Sequence, residues 1–189
     1  MTAAKRVLRY LKGTASLGVR FSGCISTSHQ GVYCDWEMFT DADFAADPDR
    51  RRSTTGAVLI MHGAAVMWIS RLQSIVATST AESEFIAACT AMKGGLWVRK
   101  LLSELYGHVA PLRLRIDNHA AIILISEHTA GQSGRTKHID VQYHFVKDRY
   151  QRGDVSVKYV ATGDQRADIF TKQLPGPAFK KHRFVIMGN

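Results

Sequence analysis

Two aspartates stand close together in residues 38–43 (MFTDAD) of this 189-residue chain. The alternation of this stretch predicts a strand with Phe39, Asp41 and Asp43 on one face. A charge buried in a strand costs several kcal/mol unless it is paired. A divalent cation would pair with it, because hard ions such as Mg²⁺ bind carboxylate oxygens. The alternative is that the strand ends at Thr40 and that both aspartates lie in a turn.

Three further acids stand where other predicted elements begin or end. Glu84 lies in the second turn of a predicted helix, Asp117 follows a predicted strand, and Asp168 lies early in the last predicted helix. Carboxylates gathered in this way repel one another unless cations are bound. Two Mg²⁺ ions about 3.5–4 Å apart would hold such a cluster together and support hydrolysis of a phosphodiester.

The composition favours a polyanionic partner. The net charge is +9 and the pI is about 9.7, which indicates nucleic acid first and an acidic membrane surface second. No apolar run approaches the roughly 20 residues of a membrane helix, and the N-terminus has no apolar signal core. Three scattered cysteines argue against a disulfide framework and a cysteine-based zinc site. These features predict an intracellular protein, and the acids make it a candidate nuclease.

Hydrophobic periodicity divides the chain into elements. Residues 3–12 have helical spacing, and the Ser/Thr/Gly-rich stretch 14–34 has at most one short strand, at 19–21. The main domain begins near Asp35. Residues 56–61 and 64–69 form a predicted hairpin around His62-Gly63, which completes an antiparallel meander with the first strand.

The second half of the chain alternates between helices and strands. Ser79, with Glu82 three residues later, predicts a capping box at the start of a helix that ends at Gly107. The remaining predictions are a strand at 112–116, a helix at 120–125 capped by Asn118, a polar loop at 127–137, a helix at 139–150, a strand at 155–159, and a helix from Asp164 to Lys172. Pro175 and Pro177 are expected to end regular structure before a basic tail.

The element order β-β-β-α-β-α-α-β-α predicts the α/β class. We expect a mixed five-stranded sheet, made of the antiparallel meander plus parallel strands, flanked by helices. A right-handed crossover would place the strand before Asp117 beside the strand of Asp41 and parallel to it. Trp68 and Tyr143 are expected in the core.

Several short motifs follow one another in a characteristic order. They are TDAD (40–43), RRSTTG (51–56), WIS (68–70) with QS (73–74), AESEFIA (81–87), DN (117–118), RTKHID (135–140) and ADIFTK (167–172). In this order the chain resembles the ribonuclease H domain of copia-type (Ty1/copia, Pseudoviridae) LTR retrotransposon Pol polyproteins. The resemblance implies a ribonuclease H-like fold.

The resemblance also implies an activity. The family cuts the RNA strand of RNA–DNA hybrids with two Mg²⁺ ions, for which Mn²⁺ is an alternative. Its catalytic and metal-binding acids correspond to Asp41, Glu84, Asp117 and Asp168. The substrate-binding residues that it implies are Arg135, Lys137, His138 and Asn118. We further expect Arg149 and Lys172 near the acids, facing the phosphates of the hybrid.

Two acids compete with members of this quartet. Asp43 shares a face with Asp41, but the family motif places the catalytic acid first. Glu82 has a structural role in the capping box, whereas Glu84 precedes the Phe-Ile-Ala run typical of the catalytic glutamate. One departure concerns the loop before Asp168, where many cellular ribonucleases H have a histidine and this chain has none. His138 is a candidate substitute, with helix entry or phosphate contact as the alternative role.

The resemblance divides the chain into four parts. Residues 1–13 correspond to the end of the reverse transcriptase region, 14–34 to a linker, 35–174 to the ribonuclease H-like domain and 175–189 to a C-terminal tail. The implied partners are an RNA–DNA hybrid and the reverse transcriptase domain of the same polyprotein, with no membrane. The implied location is the cytoplasm, including virus-like particles.

Two other functions are compatible with such a fold. An integrase or transposase needs acids in the order Asp, Asp, Glu, and the glutamate of this chain is second, which disfavours that function. A non-catalytic nucleic-acid-binding remnant of a decayed element is the remaining alternative. The presence of all four acids disfavours complete decay.

Overall fold

The computed structural model describes residues 2–22, 26–28, 31–33, 36–126 and 137–189. Five α-helices, seven strands and two 3₁₀ segments make up these residues. In chain order they are α1 (Thr2–Gly13), β1 (Ser26–Ser28), β2 (Gly31–Tyr33), β3 (Trp36–Asp43), β4 (Thr54–Met61), β5 (Ala64–Leu72), α2 (Thr80–Tyr106), β6 (Leu112–Ile116), α3 (His119–Ser126), α4 (Lys137–Gln151), β7 (Val155–Tyr159), η1 (Thr162–Asp164), η2 (Arg166–Phe170) and α5 (Gly176–Ile186).

The main sheet has five strands in the order β5-β4-β3-β6-β7. Strands β3, β4 and β5 pair antiparallel, while β6 pairs parallel with β3 and β7 pairs parallel with β6. The predicted fold class is therefore confirmed. The strand that precedes Asp117 lies directly beside the strand that carries Asp41.

Strand β3 is buried on both faces of the sheet. Met38 belongs to the larger apolar cluster, which α2 covers, whereas Phe39 belongs to a smaller cluster with Ala167 of η2. Alternation sends successive side chains to opposite faces, so both clusters depend on the same strand. Asp41 thus lies in a strand, and the alternative of a turn after Thr40 is wrong.

The turn and the helix start that the sequence predicted are present. His62 and Gly63 both have positive φ, 52° and 82°, which is the conformation that tight hairpin turns require. At the start of α2, the Ser79 hydroxyl accepts a hydrogen bond from the Glu82 amide at 3.1 Å. The Glu82 carboxylate accepts from the amide of Thr78, not of Ser79, at 2.5 Å. The return hydrogen bond of the capping box, to the Glu82 carboxylate, is therefore made by the residue before the N-cap.

The helix predicted from Asp164 to Lys172 is wrong. The chain forms two short 3₁₀ segments there, and Gln165 caps the second one by accepting from the Ala167 amide. The Gln165 side chain is buried, and its Nε2 atom donates a hydrogen bond to the Thr40 carbonyl at 2.9 Å. This tie to β3 fixes the segment against the sheet and overrides the helical pattern. Asp164 instead pairs with Lys181 at 2.8 Å.

Two predictions for the ends of the chain are also wrong. Residues 19–21 form no strand, and the Arg20 amide donates to the Met187 carbonyl at 2.8 Å. The short strands β1 and β2 lie later, inside the predicted linker. Pro175 and Pro177 do not end regular structure but begin α5, because a proline in the first turn lacks only an amide that has no partner there.

Candidate active site

Asp41 lies near the end of β3 and is buried. Its Oδ2 atom accepts a hydrogen bond from the Thr171 hydroxyl, and the Lys172 ammonium lies 3.7 Å from the same atom. Both partners come directly after η2, so this segment closes one side of the site. The role of Thr171 could not be read from its residue type.

The Glu84 carboxylate approaches Asp41 from the other side of the site. Its Oε1 accepts from the Ala42 amide at 3.2 Å, while its buried Oε2 has no hydrogen-bond partner in the described residues. Asp117 follows β6, the parallel neighbour of β3. One carboxylate oxygen from each of Asp41, Glu84 and Asp117 lies within 4.8 Å of the other two. The structure therefore brings three of the four predicted acids into one cluster.

Asp168 joins the cluster through a lysine. The Lys172 ammonium lies 3.1 Å from Asp168 Oδ1 and 3.7 Å from Asp41 Oδ2. Lys172 was expected to face substrate phosphates, but here it pairs with the acids. It supplies one positive charge where repulsion between Asp41 and Asp168 would otherwise be unopposed.

Gly56 allows η2 to approach the sheet. It pairs with Asp41 in the β3–β4 register. A Cβ atom at this position would lie 2.5 Å from Thr171 Cγ2 and 2.8 Å from the Ala167 carbonyl oxygen. Any side chain here would push the segment that carries Asp168, Thr171 and Lys172 away from β3.

The acids raise one another's pKa values. Burial, followed by the charges of Asp41 and Asp117, raises the pKa of Glu84 to about 9. Burial, followed by the charge of Asp41, raises the pKa of Asp168 to about 6. Both shifts come first from burial and then from the neighbouring carboxylates, whose repulsion added positive charge would offset. A divalent cation would supply it, and the unpartnered Glu84 Oε2 would be an available ligand, so the residues fit a metal site.

Relatives of the chain are Pol polyproteins of transposons. It is 35% identical over 178 residues to the retrovirus-related Pol polyprotein from transposon TNT 1-94 of Nicotiana tabacum, covering 94% of this chain and 13% of that protein. It is 32% identical over 181 residues to the corresponding polyprotein from transposon RE1 of Arabidopsis thaliana, covering 95% of this chain and 12% of that protein. The chain is homologous to copia-type Pol polyproteins. It spans about an eighth of their length, and no protein-family model matches it.

Solved structures place this chain in the ribonuclease H-like fold. The N-terminal RNase H domain of Rv2228c from Mycobacterium tuberculosis superposes with a TM-score of 0.52 at 9% identity, covering 78% of this chain and 95% of that one. The LC11 RNase H1 in complex with an RNA/DNA hybrid superposes with a TM-score of 0.50 at 14% identity, covering 72% and 94%. These likenesses establish the ribonuclease H-like fold that the motifs predicted.

The two acids that compete with Asp41 and Glu84 lie apart from the cluster. Asp43 is at the end of β3, opposite Thr54, and is not among the three residues whose oxygens converge. Glu82 bonds to Thr78 at the start of α2. Of the two candidates in each pair, the structure therefore places Asp41 and Glu84 in the cluster.

The predicted substrate-binding residues are only partly described. Asn118 caps α3 by accepting from the Ala121 amide at 3.0 Å. Arg135 and the side chains of Lys137 and His138 lie outside the described residues. The expectation that Arg149 lies near the acids is wrong, because its guanidinium donates to Asp154 at 3.2 Å, at the opposite end of β6 from Asp117.

Two further observations concern the surface. Trp68 was expected in the core but is 63% exposed, because alternation along β5 places it on the opposite face from Met67 and Ile69, which pack on the core. Among the described helices, none combines the length and the apolar character that crossing a membrane would require.

Proposed function

We propose that this chain is a ribonuclease H that hydrolyses the RNA strand of RNA–DNA hybrids during reverse transcription of a retrotransposon. The observation that carries the proposal is the convergence of Asp41, Glu84 and Asp117 at the C-terminal ends of the neighbouring inner strands β3 and β6 of a ribonuclease H-like sheet. A buried acidic cluster destabilises the protein unless it binds cations, so its presence supports a metal-dependent reaction.

Asp41, Glu84, Asp117 and Asp168 would hold two Mg²⁺ ions, or Mn²⁺ in their place. When bound, such ions supply Lewis-acid stabilisation of the leaving oxygen and lower the pKa of a water nucleophile. Asp41 is central to the site, because it lies within reach of both the Glu84–Asp117 pair and Asp168.

The surrounding residues fix the acids in place. The Thr171 hydroxyl and the Ala42 amide donate to Asp41 and Glu84, respectively, and so orient one oxygen of each. Lys172 neutralises part of the charge between Asp41 and Asp168. Because these donors belong to backbone and side chains that pack on β3, the acids are positioned before any substrate arrives.

Arg135, Lys137, His138 and Asn118 are proposed to bind the hybrid. Contacts of basic residues with phosphate release counterions, so hybrid affinity should depend steeply on salt. Such contacts carry no base information, so we expect discrimination of hybrid from duplex DNA to come from groove shape and 2′-hydroxyls.

The remaining assignments rest on the relatives. Residues 1–13 are proposed to be the end of a reverse transcriptase region, 14–34 a linker, 35–174 the ribonuclease H-like domain and 175–189 a C-terminal tail. The reverse transcriptase domain of the same polyprotein is the proposed protein partner. The cytoplasm, including virus-like particles, is the proposed location.

Cleavage of an RNA–DNA hybrid labelled on its RNA strand tests the proposal. We expect cleavage with Mg²⁺ or Mn²⁺ and none in EDTA. Asp41→Asn should abolish cleavage while hybrid binding survives or tightens, since the change reduces repulsion with phosphate. Asp43→Asn, on the same strand, is the matched control and should cleave within about threefold of the unchanged chain. Cleavage by Asp41→Asn at the control's rate would refute the assignment, and binding without cleavage by the unchanged chain would favour a non-catalytic remnant.

A further inference from the structure

A second candidate binding region lies away from the acids, between α2 and α4. It is a groove of about 500 Å³, which we call the α2–α4 groove. Its charged and aromatic lining comes mainly from Lys93, Trp97, Arg99 and Lys100 of α2 and from Phe145 and Arg149 of α4.

The groove is strongly basic. The acid that lines it, Asp154, is already paired with Arg99 at 2.8 Å and with Arg149 at 3.2 Å. The Lys93 ammonium lies 5.5 Å from the centre of the Phe145 ring, and Lys100 has an exposed pair with Glu104 at 3.8 Å. Exposed pairs at this spacing contribute little. Lys93 also contacts the Cys89 side chain. Within the described residues neither lysine is held in a buried ion pair, so both can approach an anionic ligand.

Trp97 adds a flat aromatic surface to this charge. Its side chain is 65% exposed, although a tryptophan normally buries most of its area. It stands four residues after Lys93 and three before Lys100, so all three share one side of α2. An exposed ring flanked by cations is the arrangement with which proteins stack the bases of single-stranded nucleic acid and pair with its phosphates.

The groove and the acidic cluster lie at opposite ends of the sheet. Asp117 follows the last residue of β6, while the amide of the first residue, Leu112, donates to the Asp154 carbonyl. A five-residue strand is about 16 Å long, and α2 rises about 20 Å between Glu84 and Trp97. The groove is thus separate from the acidic cluster. About six stacked nucleotides would span the distance between the two.

We propose that the α2–α4 groove binds single-stranded nucleic acid, with a base stacked on Trp97 and phosphates on Lys93 and Lys100. The strand must be single because in a duplex the base faces are covered by their neighbours. This site is distinct from the proposed hydrolysis of hybrids and does not require it. A chain that carries both sites would hold a single-stranded extension while the acids act on the paired region.

Fluorescence anisotropy with a labelled oligothymidylate of about 12 nucleotides tests the proposal, since such strands match known site sizes. Trp97→Ala should weaken binding about five- to a hundredfold, because one stacked base is lost. Trp68→Ala is the matched control, since Trp68 is 63% exposed but lies on β5, and it should leave binding unchanged. Equal weakening by both variants would overturn the assignment to the groove, as would failure of the unchanged chain to bind.

A second pair of variants keeps the ring and removes the charge. Lys93→Gln with Lys100→Gln should flatten the salt dependence of binding by about 1.4 units, since each phosphate contact of a single strand contributes about 0.7. Lys5→Gln with Lys12→Gln, on exposed helix α1, should leave it unchanged. An unchanged slope in the first pair would refute phosphate contact. Cleavage of a blunt hybrid should be the same for Trp97→Ala and the unchanged chain, so loss of the groove and loss of the acidic site are distinguishable.

Discussion

Replacing Glu84 with glutamine should stabilise the metal-free protein at neutral pH. Glutamine has nearly the shape of glutamate and keeps an oxygen to accept from the Ala42 amide, but it cannot ionise. Burial and the charges of Asp41 and Asp117 raise the pKa of Glu84 from 4.5 to about 9. The folded protein therefore retains a proton that the unfolded chain releases between these two pH values. Stability must fall as pH rises through this window.

The size of the effect follows from the shift. One pKa unit corresponds to about 1.4 kcal/mol, and pH 7 lies about 2.5 units above the ordinary pKa of 4.5. Ionisation of Glu84 in the unfolded chain therefore lowers the free energy of unfolding by up to about 3 kcal/mol at pH 7. Glu84→Gln removes this loss, so the variant should be more stable by that amount at pH 7 and nearly equal to the unchanged chain at pH 4.5.

Urea unfolding in EDTA, followed by circular dichroism at several pH values, measures the difference. Asp168, whose pKa is raised to about 6, contributes to both proteins, so only the difference between them isolates Glu84. Adding Mg²⁺ should stabilise the unchanged chain more than Glu84→Gln, because metal binding requires the ionised carboxylate. A difference that does not grow with pH, or a response to Mg²⁺ that is equal in both, would refute the account of this site.

Three other changes have distinct expected outcomes. Glu82→Gln should lower stability by no more than about 1 kcal/mol and preserve cleavage, because Glu82 serves the start of α2; a turnover as low as that of Glu84→Gln would contradict this. Gly56→Ala should cost about 1–3 kcal/mol through overpacking and reduce cleavage, and unchanged urea unfolding would show that the segment tolerates the extra atom. Lys172→Met should tighten Mn²⁺ binding measured by calorimetry, because the ammonium competes for Asp41; unchanged affinity would show that it does not.

Local patterns were sufficient to predict most of the main sheet. Alternation in β3 and β6 and the turn signal at His62-Gly63 depend on neighbours in sequence, and a right-handed crossover then places β6 beside β3. The acids Asp41 and Asp117 came together in the prediction for this reason. Glu84 was preferred to Glu82 because the capping box occupies Glu82 and because the Phe-Ile-Ala run after Glu84 matches the family pattern.

The parts that could not be predicted depend on contacts distant in sequence. Gln165 bonds to the Thr40 carbonyl, 125 residues earlier, and so holds η2 against β3. The local pattern of residues 164–172 does not predict this bond. Lys181 of α5 likewise pairs with Asp164, 17 residues earlier. The helix α5 begins at the two prolines that were expected to end regular structure, because prolines fit a first helical turn. Trp68 was expected in the core, but its side chain lies on the opposite face of β5 from Met67 and Ile69, which pack on the core.

The acidic cluster lowers the stability of the metal-free protein, and this cost is an argument that the cluster binds a cation. A buried Glu84 with a pKa near 9 and an unpartnered Oε2 makes the metal-free protein less stable than a neutral residue would. The same fold keeps Gly56 opposite Asp41 to admit η2, and it directs Thr171 and Lys172 to the same carboxylates. A cluster needed only for packing would gain from neutral side chains. A cation that binds between these carboxylates would account for their energetic cost and for the donors that orient them from both sides.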